Sequence, residues 1–179
     1  MGRIMFPIYK IKVPAHPLDF CDMVLDAAGM EVIGHGFFAE VFGKPHCDRV
    51  YKIAEWSEAD GYCTFLRTLS QQAQQNPFLP KVFGVWIISY PENENCQYYL
   101  AALEKLTPYE DSPDSVELAS AVRQMLAAGI QLPAEPDALE QALSLLAATK
   151  QESFHDCFDI HNGNIMLRQK QLVITDPLI

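Results

Sequence analysis

Apolar residues recur along this chain with two different periods, and the change of period lays out its elements. Strand-like alternation begins at Met30. Met30–Gly34, Phe38–Gly43 and Arg49–Ala54 read as a three-stranded meander, and Lys81–Tyr90 with Gln97–Leu103 as a strand pair joined through residues 91–95. Helical spacing marks four other segments. Phe20, Met23 and Val24 predict a short helix over Asp19–Ala28 that stops at Gly29. Ser57-Glu58-Ala59-Asp60 resembles a capping box and opens a helix to about Leu69, with Phe65, Leu66 and Leu69 on its apolar side. Asp114–Ala128 carries Leu118, Val122, Met125 and Leu126 on one face. Asp137–Lys150 carries Leu139, Leu143 and Leu146, with Asp137 as its N-cap. Residues 1–17 hold three prolines and read as an extended arm, and Ser70–Pro77 as a polar linker. Near the end, Ile165–Arg168 and Leu172–Thr175 read as a short hairpin.

Composition narrows the classes of function. The chain has 179 residues, enough for one domain or two small lobes around a cleft. Its formal charge of −10 argues against a nucleic-acid groove or an anionic membrane surface, both of which favour Lys and Arg. No apolar run is long enough to span a bilayer, and the opening residues do not form a signal peptide. The five cysteines, an odd number without C-x-x-C spacing, imply reduced thiols and a cytoplasmic protein. His155, Cys157 and His161 cluster, but their place inside a loop of other chemistry argues against structural zinc.

That loop is Asp159-Ile160-His161-Asn162-Gly163-Asn164, followed by a strand ending at Thr175-Asp176. Carboxylate and amide oxygens are hard ligands that suit Mg²⁺, which in proteins usually accompanies substrate phosphates. A carboxylate that the metal does not need is free to accept a proton from an attacking hydroxyl. The plainer reading is a polar hairpin loop with Asn and Gly serving turn geometry. A second constellation upstream, in matching order, weighs against it. Gly34-His35-Gly36-Phe37-Phe38-Ala39-Glu40-Val41 fits G-x-G-x-x-G-x-V with Ala39 in the third glycine's place, and Val50-Tyr51-Lys52-Ile53 fits V-A-I-K.

These motifs resemble the protein-kinase-like superfamily from Met30 to Asp176. The run Phe158–Met166 with Ile174-Thr175-Asp176-Pro177, together with Arg49–Lys52 and Asp60-Gly61-Tyr62, is most similar to the kinase domain of podoviral early host-takeover serine/threonine kinases. The D-x-H-x-G-N form is also similar to small-molecule kinases such as aminoglycoside phosphotransferases. The resemblance implies an α+β, two-lobed minimal kinase-like fold: an arm over residues 1–29, an antiparallel five-stranded N-lobe over 30–103, a hinge at 104–107, and a truncated, mostly helical C-lobe over 108–179. It implies ATP and Mg²⁺ as cofactors and host proteins as substrates.

Residue by residue, the resemblance makes Asp159 the general base, Asn164 and Asp176 the Mg²⁺ ligands, and Lys52 the phosphate anchor. Gly34 and Gly36 become the loop glycines, Val41 the adenine contact, and the Glu104 carbonyl and Leu106 amide the hinge pair. Phe38 either shields the phosphates or is an ordinary buried aromatic. Glu58, with Asp60 in reserve, pairs with Lys52 or simply favours a helix N-terminus. Cys157 stands where protein kinases have the histidine of H-R-D, and Pro177-Leu178 replaces Phe-Gly. The sequence ends at Ile179, without an activation segment. A lower lobe this small is marginal alone, so support from the upper lobe, the arm or a homodimer is expected. The alternative function is a kinase-like protein that binds nucleotide or a host protein without catalysis.

Overall fold

The structure is a computed structural model, described here for residues 8–36, 39–58, 60–72, 75–109, 120, 124, 137–152, 158–169 and 171–176. It is a mixed α+β chain that divides into two compact units. A sheet unit comprises the described residues of Met5–Ser57 and Lys81–Lys105. A loop unit comprises those of Glu58–Pro80 and Leu106–Ile179.

The sheet unit is a six-stranded sheet in the order β1-β5-β6-β4-β3-β2. Its strands are β1 (Ile8–Lys12), β2 (Glu31–His35), β3 (Ala39–Gly43), β4 (Arg49–Trp56), β5 (Val82–Tyr90) and β6 (Asn93–Glu104). The predicted antiparallel five are all present. The arm adds the sixth, because Ile8–Lys12 pairs in parallel with Val85–Ser89 along an otherwise open edge. Helix α1 (Pro17–Ala27) starts two residues before the predicted start, with Pro17 in the first turn, where a missing N–H costs nothing. It buries Cys21 and Leu25 against one sheet face, in a core with Val13, Phe42, Ile53 and Ile88. The β5–β6 turn is tighter than predicted. Strand β6 already begins at Asn93, so only Pro91 and Glu92 lie between the two strands, and the pairing is irregular between Ile88 and Tyr90.

The loop unit has helix α2 (Gly61–Gln71), helix α3 (Ala138–Glu152) and a three-stranded sheet β7 (Thr107–Pro108), β8 (Ile165–Arg168) and β9 (Gln171–Ile174) in the order β7-β8-β9. Helix α2 begins later than the apparent Ser57–Asp60 box. Asp60 is the N-cap, its carboxylate accepting from the Cys63 amide at 2.9 Å. Helix α3 starts where predicted, through a reciprocal box: the Glu140 amide donates to Asp137 and the Asp137 amide to Glu140, both at 2.9 Å. The helices pack together, and Phe65, Leu66, Leu143 and Leu146 are fully buried. Apolar burial of this kind contributes about 1.5–3 kcal/mol per large side chain. Gln169 takes φ 59, the left-handed conformation that a two-residue hairpin loop requires. The helix predicted over Asp114–Ala128 lies outside the described residues, apart from Ser120 and Gln124.

Candidate active site

Each unit holds one set of the predicted residues. In the sheet unit, register does the positioning. Gly34 is opposite Val41, Val41 opposite Lys52, and Lys52 opposite Ala101. Their neighbours Phe42 and Ile53 turn toward α1, so strict alternation sends this row to the other sheet face. Where the β2–β3 hairpin closes, the Gly36 amide donates to the Ala39 carbonyl at 2.7 Å. A Cβ at Gly34 or Gly36 would meet only ordinary contacts, at 3.8 and 3.7 Å, and neither residue has a left-handed φ. The fold alone therefore does not demand glycine at either position. Phe38 lies outside the described residues.

Glu104 closes β6. Its amide donates to the Lys81 carbonyl at 3.0 Å, and its carboxylate accepts from the Lys81 amide at 2.8 Å. The Lys105 amide donates to the Asp48 carbonyl at 2.8 Å, which holds this end of the strand extended. The chain then passes into the loop unit at Leu106. The two acids considered as partners for Lys52 have identifiable contacts of their own. The exposed carboxylate of Glu58 lies 3.9 Å from Arg67, and Asp60 caps α2. A surface pair at that distance contributes little.

In the loop unit a hydrogen-bond net does the positioning. Buried Ile160 and Ile165 anchor the loop on both sides of a 3₁₀ turn over Asn162–Asn164. The Asn164 side-chain amide donates to the Asp159 carbonyl at 2.7 Å and to the Asp159 carboxylate at 3.0 Å. The Asn164 carbonyl in turn accepts from the Thr175 amide at 2.9 Å and the Thr175 hydroxyl at 3.1 Å. One asparagine thus joins Asp159 to the residue next to Asp176. With Nδ2 committed, Oδ1 of Asn164 is the atom left for a cation.

The hairpin beneath is fastened by Arg168, which donates to the Pro77 and Leu79 carbonyls at 2.8 and 2.9 Å. The Ile174 amide donates to the Phe78 carbonyl at 2.9 Å. Tyr62, buried on α2, has its phenol pushed well above its ordinary value by burial, then by the charge of Asp176, with Cys63 and Asp60 adding to it. The phenol accordingly stays protonated beside that carboxylate.

Sequence reasoning did not assign Thr175, Tyr62 or Arg168 to this framework. Thr175 had a local signal as the residue before Asp176, but its two bonds to Asn164 depend on tertiary folding. Among the described residues no group of three or more His, Cys, Asp or Glu could hold a metal. A cation here would rely on the amide oxygen of Asn164 together with carboxylate, an all-oxygen set that fits Mg²⁺ better than zinc. His155 and Cys157 lie outside the described residues. A depression of about 280 Å³ on the sheet unit, lined by Lys10, Ile11, Lys12, Ile87, Ser89 and Gln97, contains none of the predicted site residues. Among the described residues no helix is long and apolar enough to cross a membrane.

No family model matches the sequence, and no curated protein matches it. Among solved structures, the chain is similar to the crystal structure of the Mycobacterium tuberculosis PknI kinase domain, in a double-mutant form. The identity is 15% and the TM-score 0.37, over 83% of this chain and 60% of that one. The chain thus spans less than two thirds of the kinase domain it matches.

Proposed function

We propose that the chain is an ATP- and Mg²⁺-dependent phosphotransferase. The observation that supports it best is the Asp159–Asn164–Thr175 net, which fixes a carboxylate, an amide oxygen and the approach to a second carboxylate in one cluster. In this reading the acceptor hydroxyl oxygen attacks the γ-phosphorus of ATP. The new O–P bond forms, the bond from that phosphorus to the β–γ bridging oxygen breaks, and ADP leaves. The hydroxyl proton passes to Asp159.

Lys52 holds the inner phosphates, the backbone around Gly34 and Gly36 covers them, and the segment from Glu104 to Leu106 receives adenine. Asn164 Oδ1 and Asp176 would hold Mg²⁺, which supplies neutralisation of phosphate charge. Such catalysis is mainly positioning and electrostatics, for which few residues suffice. The finer reading is a serine/threonine protein kinase directed at host proteins during phage takeover. Its support is the resemblance of residues 158–166 and 174–177.

The test is transfer of labelled γ-phosphate to protein, with the wild type beside Asp159→Asn and Asp176→Ala. The wild type should label protein in a Mg²⁺-dependent way, and both variants should lose that labelling. Absence of transfer in a wild type that binds Mg²⁺ and ATP would overturn the reading in favour of a non-catalytic nucleotide binder.

A further inference from the structure

We infer that His161 is a positioning residue for Asp159, with Nδ1 turned to the Gly163 amide and Nε2 to the carboxylate. The inference rests on the phosphotransferase reading and deepens it. The Gly163 amide donates to His161 Nδ1 at 3.0 Å, and a ring nitrogen that accepts carries no hydrogen. The ring proton is then on Nε2, and Nε2 lies 3.7 Å from Asp159 Oδ2. That separation exceeds a hydrogen bond. Contacts of this kind in ligand-free sites tighten when the reacting groups arrive.

The same Oδ2 accepts from the Asn164 side chain at 3.0 Å. The Asn164 N–H thus bonds Oδ2 while His161 Nε2 stands near the same oxygen, and in this reading the other carboxylate oxygen takes the incoming hydroxyl proton. Holding a catalytic group at a fixed angle is where much of the rate of a positioned reaction originates. An independent observation comes from Gly163. Its φ is not left-handed, so the turn does not require glycine. A Cβ there would come within 2.7 Å of His161 Cε1 and 3.0 Å of Nδ1. The missing side chain at 163 makes room for the imidazole.

A purely structural role is the competing account, because a side-chain acceptor that bonds the N–H two residues on also shapes an Asx-type turn. Two variants separate the roles. His161→Asn keeps an acceptor for the Gly163 amide but is too short to reach Asp159. His161→Gln extends an N–H toward the position of Nε2. We expect His161→Asn to lower kcat about tenfold, the worth of one charge-assisted hydrogen bond. KM for ATP and the unfolding midpoint should stay unchanged, and His161→Gln should recover most of the rate.

A ¹⁵N spectrum of the wild-type imidazole provides a readout that needs no activity. It should show an unprotonated Nδ1 and a protonated Nε2. The opposite tautomer overturns the inference, as does a His161→Asn enzyme with wild-type kcat. Absence of transfer in the wild type brings down the phosphotransferase reading and the inference together. Transfer that His161→Asn leaves intact brings down the inference alone.

Discussion

The sheet unit and the loop unit place their candidate residues by different physical means. In the sheet unit, Gly34, Val41 and Lys52 share a row because strands β2, β3 and β4 pair in one register. A one-residue slip of any one of these strands would turn its member of the row to the α1 side. In the loop unit, Asp159 and Asn164 sit outside the strands and are held by side-chain and backbone hydrogen bonds. Register is set collectively by many apolar contacts, whereas a hydrogen-bond net can fail at one atom. The sheet unit should therefore tolerate single polar changes that disable the loop unit.

The largest expected effect tests the loop unit. Asp159→Asn should reduce phosphoryl transfer by about 10²–10⁴-fold, the typical worth of a general base, with an unchanged thermal unfolding curve. Stability loss in step with activity would mean that Asp159 is structural. Phe65→Ala comes next. Phe65 is fully buried on α2, and its truncation should cost about 3–5 kcal/mol, read as a lower urea midpoint.

A third effect belongs to the sheet unit alone and concerns alkaline pH. Burial, with the charge of Asp22 adding to it, pushes the Cys21 thiol from 9.0 up to about 11. A raised thiol pKa means that the folded state holds the proton more tightly than the unfolded chain. Its contribution to stability is therefore complete below pH 9 and is lost as pH rises toward about 11. The loss is about 2–3 kcal/mol by linkage, and Cys21→Ala should flatten that part of the stability-against-pH curve. The smallest effect returns to the net. Thr175→Val removes the hydroxyl bond to the Asn164 carbonyl but keeps the amide bond, and should cost about 1 kcal/mol, measured by denaturant unfolding.

The same contrast explains how much of the molecule could be read in advance. Strands β3 to β5 follow local alternation to within about two residues, and Asp137 was visible as a cap at the start of a periodic apolar stripe, though its reciprocal bond with Glu140 was not. Strand β1 was not visible, since its pairing with β5 joins residues far apart in the chain and its own pattern is polar on its exposed positions. The start of α2 was misplaced because Ser57, Glu58 and Asp60 all suit a helix N-terminus, and only the bond to Cys63 selects Asp60. In the candidate site, residue types and order were legible. The bonds from Thr175 to Asn164 and from Gly163 to His161 were not, because the first crosses sequence distance and the second depends on a ring orientation.

The central proposal is that Asn164 and Asp176, both in the loop unit, serve the same Mg²⁺-bound ATP, and a double-mutant cycle tests it most directly. Asn164→Ala, Asp176→Ala and the double variant should be compared with wild type by kcat/KM for ATP. Groups acting on the same nucleotide should be strongly non-additive, with a coupling of about 0.5–3 kcal/mol. Free-energy changes that simply add, to within about 0.5 kcal/mol, would contradict the account.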